Sequence, residues 1–242
     1  MTLVPTWSFS RLKAFESCHY KAFLMYSEKR SQEHMDMTAA NRGTKIHTDC
    51  ELFVKGEGHL TKEMKRFADY FEKLKVKYQN GEVELEENWG FTKDWETTGY
   101  FDDDVWCRMK LDNFIYDGYD DFGQPGEGGS MVVSATATDY KSGKKYGNEV
   151  SHSQQGMLYV LGSFLRYPTL EECTTDFMYL DHGVNMTKYY TREKAMKFLP
   201  SWNERALKMT TAEEFPPNPN KITCMWCPYG PQHGDGSCKW GV

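Results

Sequence analysis

Apolar residues recur at helical spacing in five stretches of the chain. These stretches predict helices at residues 8–26, 43–54, 61–80, 148–165 and 191–209. The third has the most regular pattern, with apolar side chains along one face and lysines on the other sides. Such a charged face is typical of a solvent-exposed surface, and a wall that binds a nucleic acid strand is the alternative.

The periodicity changes after Gly81, where strand-like runs replace the helical spacing. Residues 83–89, 105–116, 131–139 and 173–180 predict strands, the first three in antiparallel succession. Helices before and after these strands predict an α/β fold. A length of 242 residues fits one large domain, or one domain with a small lobe.

A carboxylate and an ammonium group stand at the end of the third predicted strand. Because strand side chains alternate between faces, Asp139 and Lys141 project to the same side. The carboxylate can bind a divalent cation there, and the lysine can orient or deprotonate a water molecule. The pair indicates a metal-dependent hydrolytic centre, and a surface ion pair is the alternative.

Four further polar residues lie on elements that can meet this pair. Asp112 belongs to the second predicted strand and reaches the same sheet. His47 lies on the second predicted helix, as either a packing residue or a metal ligand. Gln155 and Tyr159 are one helical turn apart, where they either contact the site or hydrogen-bond within the core.

Composition and charge narrow the class of protein. The formal net charge of -6 argues against a protein that coats nucleic acid by bulk charge, but it is compatible with a local basic groove. Apolar runs are too short to span a bilayer, and the first five residues lack the features of a signal peptide. We therefore expect a cytoplasmic protein without a membrane partner.

Seven cysteines are present, and an odd number in a reducing compartment argues against a disulfide framework. Ligation of a metal or a cluster explains the cysteines that are grouped near the C-terminus. The isolated cysteines are expected to be small buried apolar residues.

Taken in order, these elements resemble the PD-(D/E)XK nuclease superfamily and, within it, the RecB-like and CRISPR-associated exonuclease branch. The matching motifs are the opening S-F-S-R-L run that leads to Cys18, the G-x-x-x-H element ending at His47, Asp112, the D-x-K pair, and the Q-x-x-x-Y element from Gln155 to Tyr159. The resemblance implies a restriction-endonuclease-like mixed β-sheet flanked by helices. It also implies a single nuclease domain over residues 1–242, with a catalytic core at about residues 40–182.

The resemblance further implies a DNA nuclease that depends on Mg²⁺ or Mn²⁺, an exonuclease acting on DNA ends or single strands. Its metal ligands would be His47, Asp112, Asp139 and the backbone carbonyl of Tyr140. An imidazole ligand favours Mn²⁺, because Mg²⁺ prefers shells made only of oxygen. Glu86 is a candidate ligand for a second metal ion.

The remaining catalytic roles follow from the same resemblance. Lys141 would position the attacking water and offset charge on the transition state. Gln155 and Tyr159 would hold the nucleic acid backbone or support Lys141. Helicase, recombination and CRISPR-adaptation proteins are the partners that the branch suggests, and the sequence leaves the oligomeric state open.

In this branch one cysteine near the N-terminus and three near the C-terminus hold a 4Fe-4S cluster, and Cys18, Cys224, Cys227 and Cys238 fit that division. The cluster would join the N- and C-terminal segments in a small lobe. Zn²⁺ accepts the same four thiolates and remains the alternative, and His233 is a spare ligand if Cys18 is not used.

Three positions depart from the pattern of the branch. The gap between Cys227 and Cys238 is longer than expected, and His19 stands where a proline commonly follows the first cysteine. Met109 stands where a small residue often precedes the metal-binding aspartate.

Three other classes of function compete with the nuclease. One is a non-catalytic nucleic-acid-binding or scaffold protein on a nuclease fold. Another is a zinc-stabilised regulatory module in which the C-terminal cysteines are the functional part. The third is a hydrolase that acts on a different phosphoester. The complete set of His47, Asp112, Asp139 and Lys141 favours the nuclease over the non-catalytic protein, and the zinc module leaves these motifs unexplained. The local chemistry does not distinguish a hydrolase of another phosphoester from the nuclease.

Overall fold

The computed structural model describes residues 4–32, 35–120, 131–143 and 145–242, which fold around one six-stranded sheet. Its strands are β1 (Val83–Phe91), β2 (Thr97–Thr98), β3 (Cys107–Tyr119), β4 (Val132–Lys141), β5 (Glu172–Tyr179) and β6 (Val184–Thr191). They lie in the order β2-β1-β3-β4-β5-β6. β4 and β5 pair in parallel and the other neighbours antiparallel, so the sheet is mixed, as expected.

Helices precede, interrupt and follow the strands. They are α1 (Phe9–Ser17), α2 (His19–Ala22), α3 (Thr38–Lys55), α4 (Ala68–Gln79), α5 (Glu149–Arg166), α6 (Arg192–Met196), α7 (Leu199–Thr210) and α8 (Lys221–Met225). The helix α5 provides the long connection that a parallel pair such as β4 and β5 requires. Within the described part of the chain, the structure has no helix that is both long and apolar enough to cross a membrane.

The predicted helix at residues 8–26 is broken. Ser8 caps α1, whose chain leaves helical geometry at Cys18 (φ -164°, ψ 114°) before α2 and a short π-helix at Phe23–Ser27 follow. The helix predicted at residues 61–80 is also shorter, because Met64–Phe67 forms a 3₁₀ turn and α4 begins at Ala68. Both breaks depend on tertiary packing and leave the apolar spacing unchanged.

The prediction of one helix over residues 191–209 was wrong. The chain there leaves β6 at Thr191, forms α6, and starts again as α7 with a proline in its first turn. Proline favours the first turn of a helix and disrupts the interior, so Pro200 marks a new start. β6 itself escaped the sequence pattern because it is an exposed, polar edge strand.

Two separate apolar clusters pack against the sheet. The larger one joins α1, α5 and α7 to the strands, and the smaller one joins α3 and α4 to them. Adjacent residues of β3, Phe114 and Ile115, belong to different clusters, as alternating strand residues should. The middle of the sheet is therefore enclosed by helices, and the candidate site lies where β3 and β4 meet α3 and α5.

Candidate metal centre and active-site groove

Asp112 of β3 is held from two sides. Its Oδ1 lies 2.6 Å from Nδ1 of His47 on α3, and its Oδ2 accepts a 2.5 Å hydrogen bond from the backbone N–H of Tyr140 on β4. Burial raises the pKa of Asp112, and the hydrogen bond from His47 opposes that effect. Burial lowers the pKa of His47, but the hydrogen bond to Asp112 and the charges of Asp112, Asp139 and Glu86 together outweigh it, and the net shift is upward. Below the raised pKa of His47, the pair therefore holds a proton when no metal is bound.

Glu86 of β1 lies across the sheet from Asp112. Its neighbours Leu85 and Glu87 pair with Asn113 and Leu111 of β3, but Glu86 itself is not paired with a residue of that strand. Its backbone is left-handed, with φ of +53°, which is costly for a residue with a side chain. Such strain often accompanies functional sites.

The face of the sheet on which the apolar side chains of β1 lie changes at this residue. Val83 and Leu85 pack with α3 and α4, whereas Trp89 and Phe91 pack with α5. All four residues would share one face in a regular strand. The left-handed backbone at Glu86 lies where that alternation reverses, and the reversal accompanies a carboxylate directed toward His47.

His47, Glu86 and Asp112 are the set that comes closest to a metal site. Each of the three offers one ligand atom, and these atoms all lie within 4.8 Å of one another. Among the described residues, no other group of three histidines, cysteines or carboxylates comes as close. Lys110 forms a 2.8 Å ion pair with Oε2 of Glu86. Asp139, which the sequence placed among the ligands, is outside this close set, and its role as a ligand stays a prediction.

Asp139 of β4 uses its two oxygens differently. Oδ1 lies 3.1 Å from Nε2 of Gln155, which donates to it, and 3.0 Å from Oη of Tyr159. Oδ2 lies 2.5 Å from Nζ of Lys141, but the angles do not form a directed hydrogen bond. Among the described residues, this buried oxygen has no hydrogen-bond partner. A bound ligand can supply the interaction that such a buried oxygen lacks.

Gln155 connects the lysine to the carboxylate. Its Oε1 accepts a 3.1 Å hydrogen bond from Lys141, while its amide nitrogen donates to Asp139 and to Tyr159. The close approach of α5 depends on Gly156, where an added Cβ would lie 2.8 Å from the ring of Phe177. The structure thus brings both residues of the Q-x-x-x-Y element to the pair on β4.

His152 is a site residue that the sequence analysis missed. It precedes Gln155 by three residues on α5, and its Nδ1 lies 2.6 Å from Oη of Tyr179. Its ring stacks on Phe177 with centroids 5.6 Å apart. Burial, together with the charge of Lys141, lowers the pKa of His152 to about 4, so the ring is neutral at pH 7. Its helical spacing from Gln155 was the available signal.

Several of these side chains line one surface groove with a volume of about 490 Å³, and the name groove is used below for this site alone. It is lined by His47, Lys110, Asp112, Asp139, His152, Gln155 and Tyr159, together with Ser8, Phe9, Ser10, Lys13, Tyr100, Arg108, Met109, Ser151 and Leu158. Three cationic side chains lie along it. Burial, and next the charge of Lys141, lower the pKa of Lys13, as expected where positive groups gather. An acidic protein thus has a local basic groove.

The four cysteines that the resemblance singled out line one cavity. This cysteine pocket has a volume of about 20 Å³ and is lined by Cys18, Cys224, Cys227 and Cys238. The backbone N–H of Asn218 lies 3.4 Å from Sγ of Cys18. Burial raises the pKa of Cys227.

The long gap between Cys227 and Cys238 is taken up by a compact turn. An added Cβ at Gly234 would lie 2.4 Å from the backbone oxygen of Pro228, so the turn requires a glycine there. The backbone N–H of Cys238 donates to Tyr229, which returns the last cysteine to the pocket. His233 stacks on Trp226 at 4.2 Å and does not line the cavity.

The three isolated cysteines, Cys50, Cys107 and Cys173, are buried, as expected. Burial raises the pKa of each thiol, to about 12 for Cys173. None of them lines the cysteine pocket. They are apolar packing residues of the two clusters.

The chain is similar to solved structures and to one family model. One solved structure, described as "Crystal structure of SSO0001", has 12% sequence identity to this chain and a TM-score of 0.43, and the match covers 98% of this chain and 88% of that chain. No curated protein matches. The family model of the PD-(D/E)XK nuclease superfamily matches residues 6–109, so the chain from the segment before α1 to the start of β3 is similar to that superfamily.

Proposed function

We propose that this protein is a metal-dependent nuclease that hydrolyses phosphodiester bonds in DNA, acting on ends or single strands. One observation carries the proposal. Among the described residues, a buried carboxylate oxygen of Asp139 has no directed hydrogen bond and lies beside Lys141, in a groove that His47 and Asp112 also line. Glu86 completes the close set with these two residues from an adjoining pocket. The superfamily match covers His47 and Glu86, and the geometry adds the residues beyond it.

The donor set fits a divalent metal ion. Two carboxylates and an imidazole lie within 4.8 Å of one another, and Asp139 and the carbonyl of Tyr140 are the further candidates. A histidine among oxygen ligands favours Mn²⁺ over Mg²⁺. When bound, the ion would supply Lewis-acid activation of the phosphate and a lower pKa for water.

The protein's own groups supply positioning and charge. Lys141 is held between Asp139 and the amide of Gln155, so its ammonium has a defined position beside two residues that line the groove. There it can orient a water molecule and offset charge that develops on the phosphate oxygens. Tyr159 hydrogen-bonds the other oxygen of Asp139 and so leaves Oδ2 to pair with Lys141.

Digestion of end-labelled DNA tests the proposal. Wild-type protein should degrade single or double strands with Mn²⁺ or Mg²⁺ and not with EDTA. Asp139→Ala and Lys141→Ala should each lower the rate by about a thousandfold or more, because they remove charge from the reacting centre. Lys188→Ala on the exposed edge strand β6 is the control and should leave the rate unchanged.

The outcomes separate the rival functions. Activity that survives both groove substitutions would refute this assignment of residues. DNA binding without digestion would favour the non-catalytic binding protein. Cleavage of RNA or small phosphoesters instead of DNA would change the substrate class. A covalently closed circular strand that stays intact while linear DNA is degraded would support the exonuclease.

We also propose that the cysteine pocket holds a 4Fe-4S cluster. Four thiolates at one cavity suit that cluster or Zn²⁺. A tetrahedral zinc site with bonds of roughly 2.3 Å requires sulfurs about 3.8 Å apart. No three of these sulfurs come within 4.8 Å of one another in the described chain, which favours the larger cluster.

Metal analysis of anaerobically purified protein tests the second proposal. We expect iron and acid-labile sulfide in equal amounts and broad absorbance near about 400 nm. Stoichiometric zinc without iron would refute the cluster and support the zinc module. Because this assay does not depend on nuclease activity, the two proposals stand or fall separately.

A further inference from the structure

The turn between β2 and β3 carries two aromatic rings at the edge of the groove. Phe101 is 83% exposed and is one of the most exposed large apolar side chains among the described residues. Its ring packs edge to face on Tyr100 with centroids 4.9 Å apart. Tyr100 itself lines the groove. The exposed ring therefore continues a surface that begins inside the groove.

The turn is held rigidly by its own side chains. Oδ2 of Asp102 accepts the backbone N–H of Gly99 at 2.9 Å, and Oγ1 of Thr98 donates to Asp104 at 2.6 Å. These bonds fix the backbone on both sides of Phe101. An aromatic ring that is exposed and fixed loses little entropy on binding.

Arg108 links this turn to the reacting centre. Its guanidinium carbon lies 5.2 Å from the ring centre of Tyr100 and 5.8 Å from that of Phe101. Its buried Nε has no hydrogen-bond partner among the described residues. Arg108 lines the groove with Lys110 and Asp112 on the same strand. It is thus a cation placed between the aromatic rings and the candidate metal centre.

We propose that Tyr100, Phe101 and Arg108 form a platform on which an unpaired base of the DNA strand stacks while its backbone lies in the groove. The proposal rests on the proposed nuclease function and specifies its substrate as a single strand. Within a duplex, neighbouring base pairs cover both faces of each base, so stacking on Phe101 requires a strand that is not paired. Base stacking on aromatic rings and phosphate contacts with cations are the two features of single-strand binding.

The charges around the platform orient the strand. The carboxylates of Asp102 and Asp104 belong to the turn, whereas Lys13, Arg108 and Lys110 line the groove. Phosphates are therefore repelled at the turn and attracted along the groove, which leaves the base for the aromatic rings. A protein partner that covers Phe101 would not account for the unpaired Arg108 beside it.

Binding measurements in an Asp139→Ala background test the platform without cleavage. The probe is a single-stranded oligonucleotide with one 2-aminopurine, whose fluorescence falls on stacking, and a blunt duplex is the comparison. Phe101→Ala should weaken binding of the single strand by about 5- to 150-fold, the range for losing one stacked base, and leave the duplex unchanged. Phe101→Leu keeps apolar bulk without a π-face and should not restore binding.

Phe198→Ala, the same change at an exposed phenylalanine before α7, is the control and should bind as the parent does. Unchanged affinity in Phe101→Ala, equal losses on single strand and duplex, or full rescue by leucine would each overturn the platform. So would a concentration-dependent dimer that Phe101→Ala abolishes. If wild-type protein digests DNA while Phe101→Ala binds normally, the platform fails and the nuclease stands. If wild-type protein neither binds nor digests DNA, both are overturned.

Discussion

The groove and the cysteine pocket are both candidate metal sites, but they are built on different parts of the fold. The groove lies on the central strands β3 and β4, and neighbouring backbone and side chains hold its carboxylates. The pocket lies on short helices and turns from the two ends of the chain, separated by about 200 residues. Its buried apolar cluster contains only Leu24, Cys227 and Tyr229 among the described residues.

Because of this difference, the two sites should depend on a bound metal in different ways. Sheet pairing and two apolar clusters determine the groove, so its geometry precedes metal binding. The pocket buries too little apolar surface to close by packing alone, and a cluster there would close a very long loop. Loss of the metal should therefore abolish function at the groove but weaken the fold at the pocket.

The largest expected effect on stability comes from a pocket ligand. Cys227→Ser should lower the free energy of unfolding by about 3 kcal/mol or more, because a bound structural metal contributes its binding energy to folding. Denaturant unfolding under anaerobic conditions measures it. Cys173→Ser is the control, because it measures how much stability is lost when a hydroxyl replaces a buried thiol away from the pocket. If the two variants lose equal stability, or if Asp139→Ala loses as much, the contrast between the sites is wrong.

At the groove, loss of a ligand should affect metal binding instead. Glu86→Gln keeps the size of the side chain and removes its charge, so Mn²⁺ affinity measured by calorimetry should fall by about a hundredfold. The free energy of unfolding should change little. Glu51→Gln, at a helix carboxylate beside the groove, is the matched control. Equal Mn²⁺ affinity in the parent and Glu86→Gln would remove Glu86 from the metal set.

Backbone strain at Glu86 should give a smaller effect, on stability. Glycine tolerates a φ of +53° that alanine does not, so Glu86→Gly should be more stable than Glu86→Ala by about 1 kcal/mol. Thermal or urea unfolding of the two variants measures the difference, and both should lose metal affinity alike. A glycine variant that is less stable than the alanine variant would show that the backbone is not strained.

The sequence indicated those site residues that local periodicity places. Strand alternation put Asp139 beside Lys141, and helical spacing put Gln155 over Tyr159, because both patterns are properties of one element. Glu86 was predicted only as a ligand for a second metal ion, because a left-handed residue within an ordinary strand pattern leaves no signal in composition. Its proximity to His47 depends on how α3 packs across the sheet. The break of the first helix at Cys18 is likewise a tertiary effect.

Metal binding at the groove should depend on pH through His47 and Asp112. Both pKa values are raised in the metal-free protein, so the pair retains a proton that a metal ion must displace. Below the raised pKa of His47, Mn²⁺ affinity should therefore fall about tenfold for each pH unit. Calorimetry in buffers of different ionisation enthalpy counts the released proton. A pH-independent affinity with no proton release would exclude His47 as a ligand.

The smallest expected effect concerns His152. Its pKa is lowered to about 4, so between about pH 6.5 and 4 the unfolded chain binds a proton that the folded chain does not, and stability falls as pH falls. Because the ring is only partly buried, solvent screening reduces this contribution to about 1 kcal/mol. In EDTA, His152→Gln should lose less stability on acidification than His59→Gln, the control at an exposed histidine. Equal losses would mean that His152 charges freely, and that packing around Lys141 does not enforce a neutral ring in the groove.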